Sequence, residues 1–212
     1  MAGVSRETFA DLQIYADLLV KWQASINLVG PQTLGELWSR HFLDSLQLLR
    51  AVPGARRIVD LGSGAGFPGL VMAVALKGTP GVEVVLVESN GKKAAFLQAV
   101  IHATGAPARV MNERIETAVP KLSPPDVVTA RALAPLRQLL AWCAPLLKSG
   151  AIGLFPKGRD LDKELADAAQ CWSMTYEIIP SVVAEESALL KLLSVSPIRP
   201  ATGAPGTDRN HA

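Results

Sequence analysis

The chain has 212 residues, of which 49% are hydrophobic and 19% charged, and its formal net charge at pH 7 is +2. This composition predicts a compact body built around one sizeable core, or one core with a small appendage. No apolar run reaches the ~18 residues that span a bilayer, and the N-terminus lacks the layout of a signal peptide, so we expect a cytoplasmic protein without a membrane partner. The mild net charge neither requires nor excludes a nucleic-acid partner.

Metal ligands are scarce, because the chain holds only two cysteines and three histidines. Cys143 and Cys171 belong to no C-x-x-C pair and lie in apolar surroundings, which favours packing positions over zinc ligands or a disulfide. We therefore expect no metal site.

The first fifty residues predict two helices and no strand. Apolar side chains recur every three or four positions over residues 5–24, with Ser5 as the N-cap. Thr33 and Glu36 match a T-x-x-E capping box that would open a second amphipathic helix ending near Arg50. We interpret residues 1–52 as an N-terminal helical addition.

After this addition, short β-branched runs alternate with helical segments. The five runs are RIVDL, VEVVLVE, ARVMN, PDVVTAR and AIGLFPK. Such alternation predicts an α/β fold with a parallel sheet and helices on both faces. Two further runs, TYEIIPSV and ALLKLLSV, predict a C-terminal antiparallel hairpin that makes the sheet mixed. Residues 53–196 would form this domain, and residues 197–212, rich in Pro, Gly and Ala, a disordered tail.

The segment DLGSGAGFPG, residues 60–69, joins the first strand to the next helix. In an open parallel sheet a ligand binds at the carboxyl ends of the strands, and Gly62, Gly64 and Gly66 let the backbone approach it closely. The letters GAGFPG also match the dinucleotide fingerprint, and Glu88 after the second strand could take the ribose hydroxyls of any adenosine ligand. Both S-adenosylmethionine and NAD remain open on these features.

Asp60 favours the methyl donor over the dinucleotide. A carboxylate directly before the glycines disfavours a nearby pyrophosphate and favours a ligand with positive charge. S-adenosylmethionine carries a sulfonium and an ammonium, whereas NAD brings phosphates. A carboxylate that merely caps the turn is the alternative for this residue.

Several stretches stand in the order and spacing of one family: RHFLDSL (40–46), DLGSGAGFPG (60–69), VESNGKKAAFL (87–97), TARALAPL (129–136) and PKG (156–158). On these motifs the chain resembles the RsmG (GidB) family of bacterial methyltransferases of small-subunit ribosomal RNA. The resemblance implies a class I S-adenosylmethionine-dependent methyltransferase fold, Rossmann-like and seven-stranded, behind a helical addition. It also implies S-adenosyl-L-methionine as cofactor and methyl transfer to N7 of one guanine in a decoding-region loop of 16S rRNA, free or in a small-subunit assembly particle.

Site residues follow from the resemblance together with the charge pattern. The cofactor would be held by Gly62, Gly64, Phe67, Glu88, Ile115, Glu116 and Arg131. The RNA substrate would be contacted by Arg40, His41, Lys92, Lys157 and Arg159.

These residues carry specific expectations. Arg131 could orient the methionine carboxylate or the target base, and the basic residues could follow RNA phosphates. Stacking on a splayed base would come from Phe67, Trp38 or Phe155. One departure from the family pattern is Ser187, where an Arg is usual, so the resemblance implies no arginine contact from the start of the last strand.

The implied chemistry needs no general base, because guanine N7 has an in-plane lone pair and no proton. We therefore expect no catalytic acid or base, and a monomeric enzyme that works by positioning. Three other readings stay open: an NAD(P)-dependent oxidoreductase, a methyltransferase acting on another substrate, and an RNA-binding module without catalysis.

Overall fold

The computed structural model of the chain describes residues 4–198, so most of the predicted tail lies outside it. The strands of the described part are β1 (Arg57–Leu61), β2 (Glu83–Val87), β3 (Ala108–Met111), β4 (Val127–Thr129), β5 (Ile152–Lys157), β6 (Trp172–Pro180) and β7 (Ala188–Pro197). Its α-helices are α1 (Arg6–Gln23), α2 (Asp44–Leu46), α3 (Leu48–Ala51), α4 (Gly69–Ala75), α5 (Gly91–Thr104), α6 (Ile115–Ala118), α7 (Leu136–Lys148) and α8 (Leu161–Ala168). A 3₁₀ segment covers Pro31–Glu36, a π-helical segment Trp38–Leu43 and a second 3₁₀ segment Val119–Lys121.

All seven strands form one sheet in the order β3-β2-β1-β4-β5-β7-β6. Strands β1 to β5 are parallel, whereas β7 is antiparallel to both β5 and β6. This confirms the predicted α/β fold with a mixed sheet and a C-terminal hairpin. The carboxyl ends of β1, β2, β4 and β5 lie along one edge, which we call the ligand edge.

The central parallel strands β1, β2 and β4 are buried on both faces, as their continuous apolar runs require. In β1 and β2 only the first residue is exposed. Successive side chains of β1 point to opposite faces, so that Ile58 joins the cluster under α1, α4 and α5, and Val59 joins the cluster under α7 and α8.

The N-terminal helices share the first of these clusters instead of forming a core of their own. Leu12, Tyr15 and Leu19 of α1 are fully buried and belong to the same cluster as Leu70 and Phe96. The apolar face of α1 would be exposed to water if the sheet domain unfolded. We therefore expect the N-terminal helices and the sheet domain to unfold together.

The prediction of one regular second helix is wrong. Residues 31–51 are divided into 3₁₀, π and two short α segments. The Thr33 hydroxyl does not cap a helix but donates to the Gly30 carbonyl at 2.8 Å and lies 3.0 Å from Nε2 of His41. A π segment often occurs where function requires a side chain to face a particular neighbour, and here it turns His41 toward the sheet.

The remaining differences concern element ends. Strand β6 begins at Trp172, which pairs with Pro197 of β7, so the hairpin extends beyond both predicted strands. Within the described range, no helix is both long and apolar enough to cross a membrane.

Candidate active site

The glycine turn lies at the ligand edge between β1 and α4. Gly62, Gly64 and Gly66 all have positive φ, at 65°, 57° and 92°. A Cβ at Gly66 would overlap the hydroxyl of Tyr15, which donates to the Ala65 carbonyl. A Cβ at Gly62 would overlap the side chain of Leu133.

Gly64 differs from its two neighbours in having an open face. Apart from Gly64 and its two chain neighbours, the only atom of the described residues within 4 Å of a Cβ placed there is the Gly62 carbonyl oxygen, at 3.8 Å. Tyr15 and Leu133 therefore pack against the turn at Gly66 and Gly62, whereas no side chain in residues 4–198 covers the backbone at Gly64. A ligand can approach the main chain there.

Glu88 follows β2 and holds two backbone groups of the ligand edge. Its Oε2 accepts from the Gly64 N–H at 2.8 Å, and its Oε1 accepts from the Asn90 N–H at 2.7 Å. Asn90 in turn caps α5 through its side chain. Each carboxylate oxygen keeps a lone pair that a ligand hydroxyl could use.

Residues after β3 lie beside Glu88. The Asn112 side-chain amide donates to the Glu88 carbonyl at 2.7 Å and thereby ties the ends of β2 and β3 together. Ile115 and Glu116 open the short helix α6, with Ile115 buried and Glu116 exposed. This places Glu116 at the outer side of the same end of the sheet.

Asp60 does not contact the cleft, contrary to the role assigned to it above. Its side chain has no exposed surface, and its Oδ1 accepts from the Thr129 hydroxyl at 2.6 Å. Its other oxygen faces Gly69 at the start of α4 and has no hydrogen-bond partner among the described side-chain and backbone groups. Burial raises the pKa of this carboxyl to about 6, although the Thr129 hydrogen bond works against it. These contacts favour the alternative role for Asp60, a structural support of the turn that makes no contact with the ligand.

Arg131, just beyond β4, joins the sheet domain to the N-terminal helices. Its Nη2 donates to Nδ1 of His41 at 2.8 Å, and its Nη1 to the Arg40 carbonyl at 3.3 Å and to Asp44 Oδ2 at 3.4 Å. The guanidinium carbon also lies 5.0 Å from the centroid of the Phe67 ring, in a cation–π arrangement. Asp44 therefore pairs with Arg131, whereas Arg40, four residues before Asp44, pairs with Glu36 at 3.3 Å.

These contacts define the state of His41. Arg131 can only donate, so Nδ1 of His41 is the acceptor and Nε2 carries the proton and donates to Thr33. Burial and the charges of Arg131 and Arg40 lower the pKa of His41 to about 4, so the ring is neutral at physiological pH. The ring also stacks on Phe67 with a centroid distance of 4.9 Å.

The three aromatic residues expected to stack on a base do not offer free faces. Phe155 is fully buried in the second core cluster, so its expected role is wrong. Phe67 is only 4% exposed and lies between the rings of Tyr15 and His41. Trp38 is half-buried and packs on Phe9 and Phe42.

The basic residues occupy different settings. Lys92 is exposed in the first turn of α5, and Arg40 and Arg159 form exposed ion pairs with Glu36 and Glu186. Lys157 is not on an open rim, because its side chain is only 10% exposed and its Nζ lies 2.6 Å from Glu164 Oε2. A contact with RNA phosphates along an open rim does not fit Lys157.

A cavity of about 690 Å³ opens at the ligand edge on the β5 side of Arg131. Its wall includes the loop after β4, the end of β5, the start of α8 and Ser187 before β7. The loop is bent at Ala132, which has a positive φ of 50°. An alanine in the left-handed region is uncommon and occurs where the surroundings impose it, often at functional sites.

Several residues of this site escaped the sequence analysis. Tyr15 stood out only as a member of an apolar stripe, and Leu133 and Glu164 carried no motif. Asn90 had a detectable signal, because an Asn directly before a helix is a preferred N-cap. Among residues 4–198, no three His, Cys, Asp or Glu side chains lie close enough together to hold a metal ion.

Comparison with protein families and curated proteins gives one consistent result. Residues 8–190 match the family model described as rRNA small subunit methyltransferase G. A protein of that name from Methylobacterium sp. (strain 4-46) is 54% identical over 196 residues, which cover 92% of each chain. The protein of the same name from Paramagnetospirillum magneticum is also 54% identical, over 92% of this chain and 93% of its own.

Solved structures with low sequence identity share the fold. An O-methyltransferase from Bacillus cereus, solved with SAH, aligns with a TM-score of 0.58 at 16% identity, over 92% of this chain and 93% of its own. A precorrin-6y methyltransferase from Geobacter metallireducens aligns with a TM-score of 0.51 at 14% identity, over 80% and 92%. At these identities the likeness concerns the fold alone.

Proposed function

Because the chain belongs to the family of rRNA small subunit methyltransferase G, we propose that it transfers the methyl group of S-adenosylmethionine to N7 of one guanine in 16S rRNA. The observation that carries the proposal is the bond between the RHFLDSL segment and the end of β4. There His41 Nδ1 and Arg131 Nη2, separated by 90 positions in the chain, lie 2.8 Å apart, and both side chains contact the ring of Phe67 in the glycine turn. We place the enzyme in the bacterial cytoplasm and expect it to act as a monomer.

The residues of the β1–β2 half fit S-adenosylmethionine. The open face of Gly64 gives the cofactor access to the main chain, and a side chain there would fill the space. The free lone pairs of Glu88 match the ribose hydroxyls, which donate hydrogen bonds. Phe67 and Gly62 of the same turn, and Ile115 and Glu116 beyond β3, complete the proposed binding set.

When bound, S-adenosylmethionine supplies an electrophilic methyl group on a sulfonium. The protein residues have to hold the target base so that N7 lies in line with the carbon–sulfur bond, and positioning of this quality supplies about 7–11 kcal/mol. Arg131 is suited to this task, because three hydrogen bonds and the Phe67 ring hold its guanidinium in place. Its Nε and second Nη2 protons have no acceptor among the described residues and are available to a substrate.

No residue of the site is required as a base, since N7 carries no proton. His41 has its acceptor nitrogen engaged by Arg131 and its donor nitrogen directed at Thr33. We therefore expect a flat pH–rate profile between pH 6 and 9 in single-turnover methylation. A steep limb that disappears on substitution of one side chain would contradict positioning as the main contribution.

The direct test incubates the protein with methyl-labelled donor and 16S rRNA from cells that lack the modification, both naked and in small subunits. The expected product is one 7-methylguanosine, located by strand cleavage at the methylated base. Methylation of a different atom, or none on either substrate, would overturn the proposal. Titration with S-adenosylhomocysteine and NADH tests the oxidoreductase alternative, which predicts binding of NADH alone.

A further inference from the structure

The cavity beside Arg131 has a position that the proposed function does not itself explain. Sheet order places β2, β1, β4 and β5 side by side. If Glu88 at β2 holds the adenosine end of the cofactor, the sulfonium end extends across β1 toward β4. The cavity comes next, at β4 and β5, and its volume of about 690 Å³ is ample for one nucleotide.

Two charged side chains in the cavity wall form a defined pair. Lys157 ends β5 and Glu164 lies on α8, and Lys157 Nζ donates to Glu164 Oε2 at 2.6 Å. The same Oε2 also accepts from the Leu136 N–H at 2.7 Å, at the first residue of α7. Glu164 is thus fixed at three elements through one oxygen, and the side chain is 25% exposed.

Each member of the pair keeps hydrogen-bonding capacity toward the cavity. Among the described residues, Glu164 Oε1 accepts no hydrogen bond, and Lys157 has two ammonium protons beyond the one directed at Glu164. The pair therefore presents a hydrogen-bond donor next to an acceptor. The inference depends on this placement of a donor, Lys157, beside an acceptor, Glu164.

We propose that Lys157 and Glu164 read the guanine base, with Lys157 donating to O6 and Glu164 Oε1 accepting from N1–H. Guanine has an acceptor at position 6 next to a donor at N1, whereas adenine has a donor at position 6 next to an acceptor at N1. The pair complements guanine and opposes adenine. This inference rests on the proposed function and names the residues that select the base.

The arrangement also agrees with the charge balance of the transfer. The N7 lone pair forms the nitrogen–carbon bond while the carbon–sulfur bond breaks and its electron pair goes to sulfur. No proton moves, and the positive charge passes from sulfur to the purine ring. A carboxylate beside N1–H lies next to the ring that gains this charge, where it stabilises the transition state more than the ground state.

The test compares methylation of 16S rRNA that carries guanosine, inosine or adenosine at the mapped target position. Inosine keeps O6, N1–H and N7 and lacks only the 2-amino group. The wild-type protein should methylate inosine within about threefold of guanosine, and adenosine at least a hundredfold more slowly, since each well-placed hydrogen-bond pair gives a discrimination of about tenfold to a hundredfold.

The variants are Glu164→Gln, which keeps an acceptor for the Leu136 N–H, and Lys157→Met, which keeps the length of the side chain. Each should lower the guanosine-to-adenosine rate ratio at least tenfold. Lys163→Met is the matched control, because Lys163 is an exposed cation in the wall of the same cavity, and its ratio should stay within twofold of wild type.

The rate ratio is insensitive to partial unfolding, because both substrates are modified by the same folded fraction. An unchanged ratio in both variants would overturn the inference, as would wild-type rejection of inosine. If the wild-type protein methylates no guanine in 16S rRNA, the proposed function fails, which distinguishes the two failures.

Discussion

The two halves of the ligand edge are built in different ways. On the β1–β2 side, the glycine turn and Glu88 are held by hydrogen bonds to main-chain N–H groups that directly follow a strand. On the β4–β5 side, Arg131, Lys157 and Glu164 are held by partners on other elements, including the N-terminal helices. Tyr15 and Leu133, from distant parts of the chain, also pack on the glycine turn. We infer that the cofactor side carries a local sequence motif, whereas the substrate side is formed mainly by contacts between distant parts of the chain.

The largest expected effect comes from Gly66 on the first side. Gly66→Ala would put a Cβ into the Tyr15 hydroxyl and against Leu70, at a positive φ. We expect a loss of about 3–4 kcal/mol in the free energy of unfolding, from left-handed strain and overpacking together. Denaturant unfolding measures it.

Gly78→Ala is the matched control for this change. Gly78 also has a positive φ, at 83°, but beyond its chain neighbours a Cβ there would meet no atom of residues 4–198 within 4 Å. This variant should lose only about 1–2 kcal/mol, from strain alone. Equal losses in the two variants would show that the packing of Tyr15 on the turn adds nothing.

The next effect comes from Arg131 on the second side. Arg131→Lys keeps the charge but cannot reach His41, Asp44 and the Arg40 carbonyl from one planar group. We expect kcat/KM for rRNA methylation to fall by about a hundredfold, or about 2.7 kcal/mol. Arg57 forms an exposed ion pair at the opposite end of β1. Its variant Arg57→Lys should keep kcat/KM within twofold of the wild-type value. A small loss in the Arg131 variant would remove this residue from the positioning role.

The same contrast explains which parts of the molecule could be predicted from sequence. Strand β1 coincides with the predicted run RIVDL, because a β-branched run acts locally. The ends of helix α5 carry local signals as well, the Asn90 cap and the left-handed Gly105. The Gly-rich turn and Glu88 lie at strand ends and are likewise local features. We could place these residues before any contact was known.

Features that depend on tertiary partners were missed. The regular second helix was predicted from Thr33 and Glu36, yet Thr33 bonds to His41, whose ring faces Arg131 across 90 positions. Glu164 looks like an ordinary polar residue of an amphipathic helix, and only its bond to the Leu136 N–H shows its place in the cavity. Asp60 was assigned to the ligand because a sequence does not reveal on which side of the turn a carboxylate is buried.

A smaller effect concerns the pH dependence of stability. The pKa of His41 falls from 6.5 to about 4 on folding, so the unfolded chain binds more protons between these values. The stability contributed by the neutral ring is complete above pH 6.5 and is lost as pH falls toward 4, by about 1–2 kcal/mol at pH 5.

His41→Gln should remove this loss, as shown by unfolding free energies at pH 8 and pH 5. The carboxyl of Asp60, whose pKa is raised, contributes with the opposite sign in both proteins and cancels in the difference. If the difference in unfolding free energy between wild type and variant were the same at both pH values, a buried neutral histidine would be contradicted.

The smallest effect is expected at the exposed cations. Arg40→Ala should change the free energy of unfolding by less than about 0.5 kcal/mol, because its ion pair with Glu36 is exposed. It should reduce the slope of log affinity for rRNA against log salt by about 0.7–0.9 if Arg40 contacts one phosphate. Arg109→Ala, which removes a similarly exposed pair on edge strand β3, is the control and should leave the slope unchanged.

The division between the two sides is tested most directly by calorimetric titration of S-adenosylhomocysteine into Glu88→Gln and Glu164→Gln. The two substitutions are chemically identical and act at opposite ends of the ligand edge. Glu88→Gln should weaken binding at least tenfold, because the amide leaves the Gly64 or the Asn90 N–H without an acceptor and binds ribose hydroxyls less well. Glu164→Gln should bind within twofold of wild type. Equal weakening in both variants, or a loss confined to Glu164→Gln, would contradict the account.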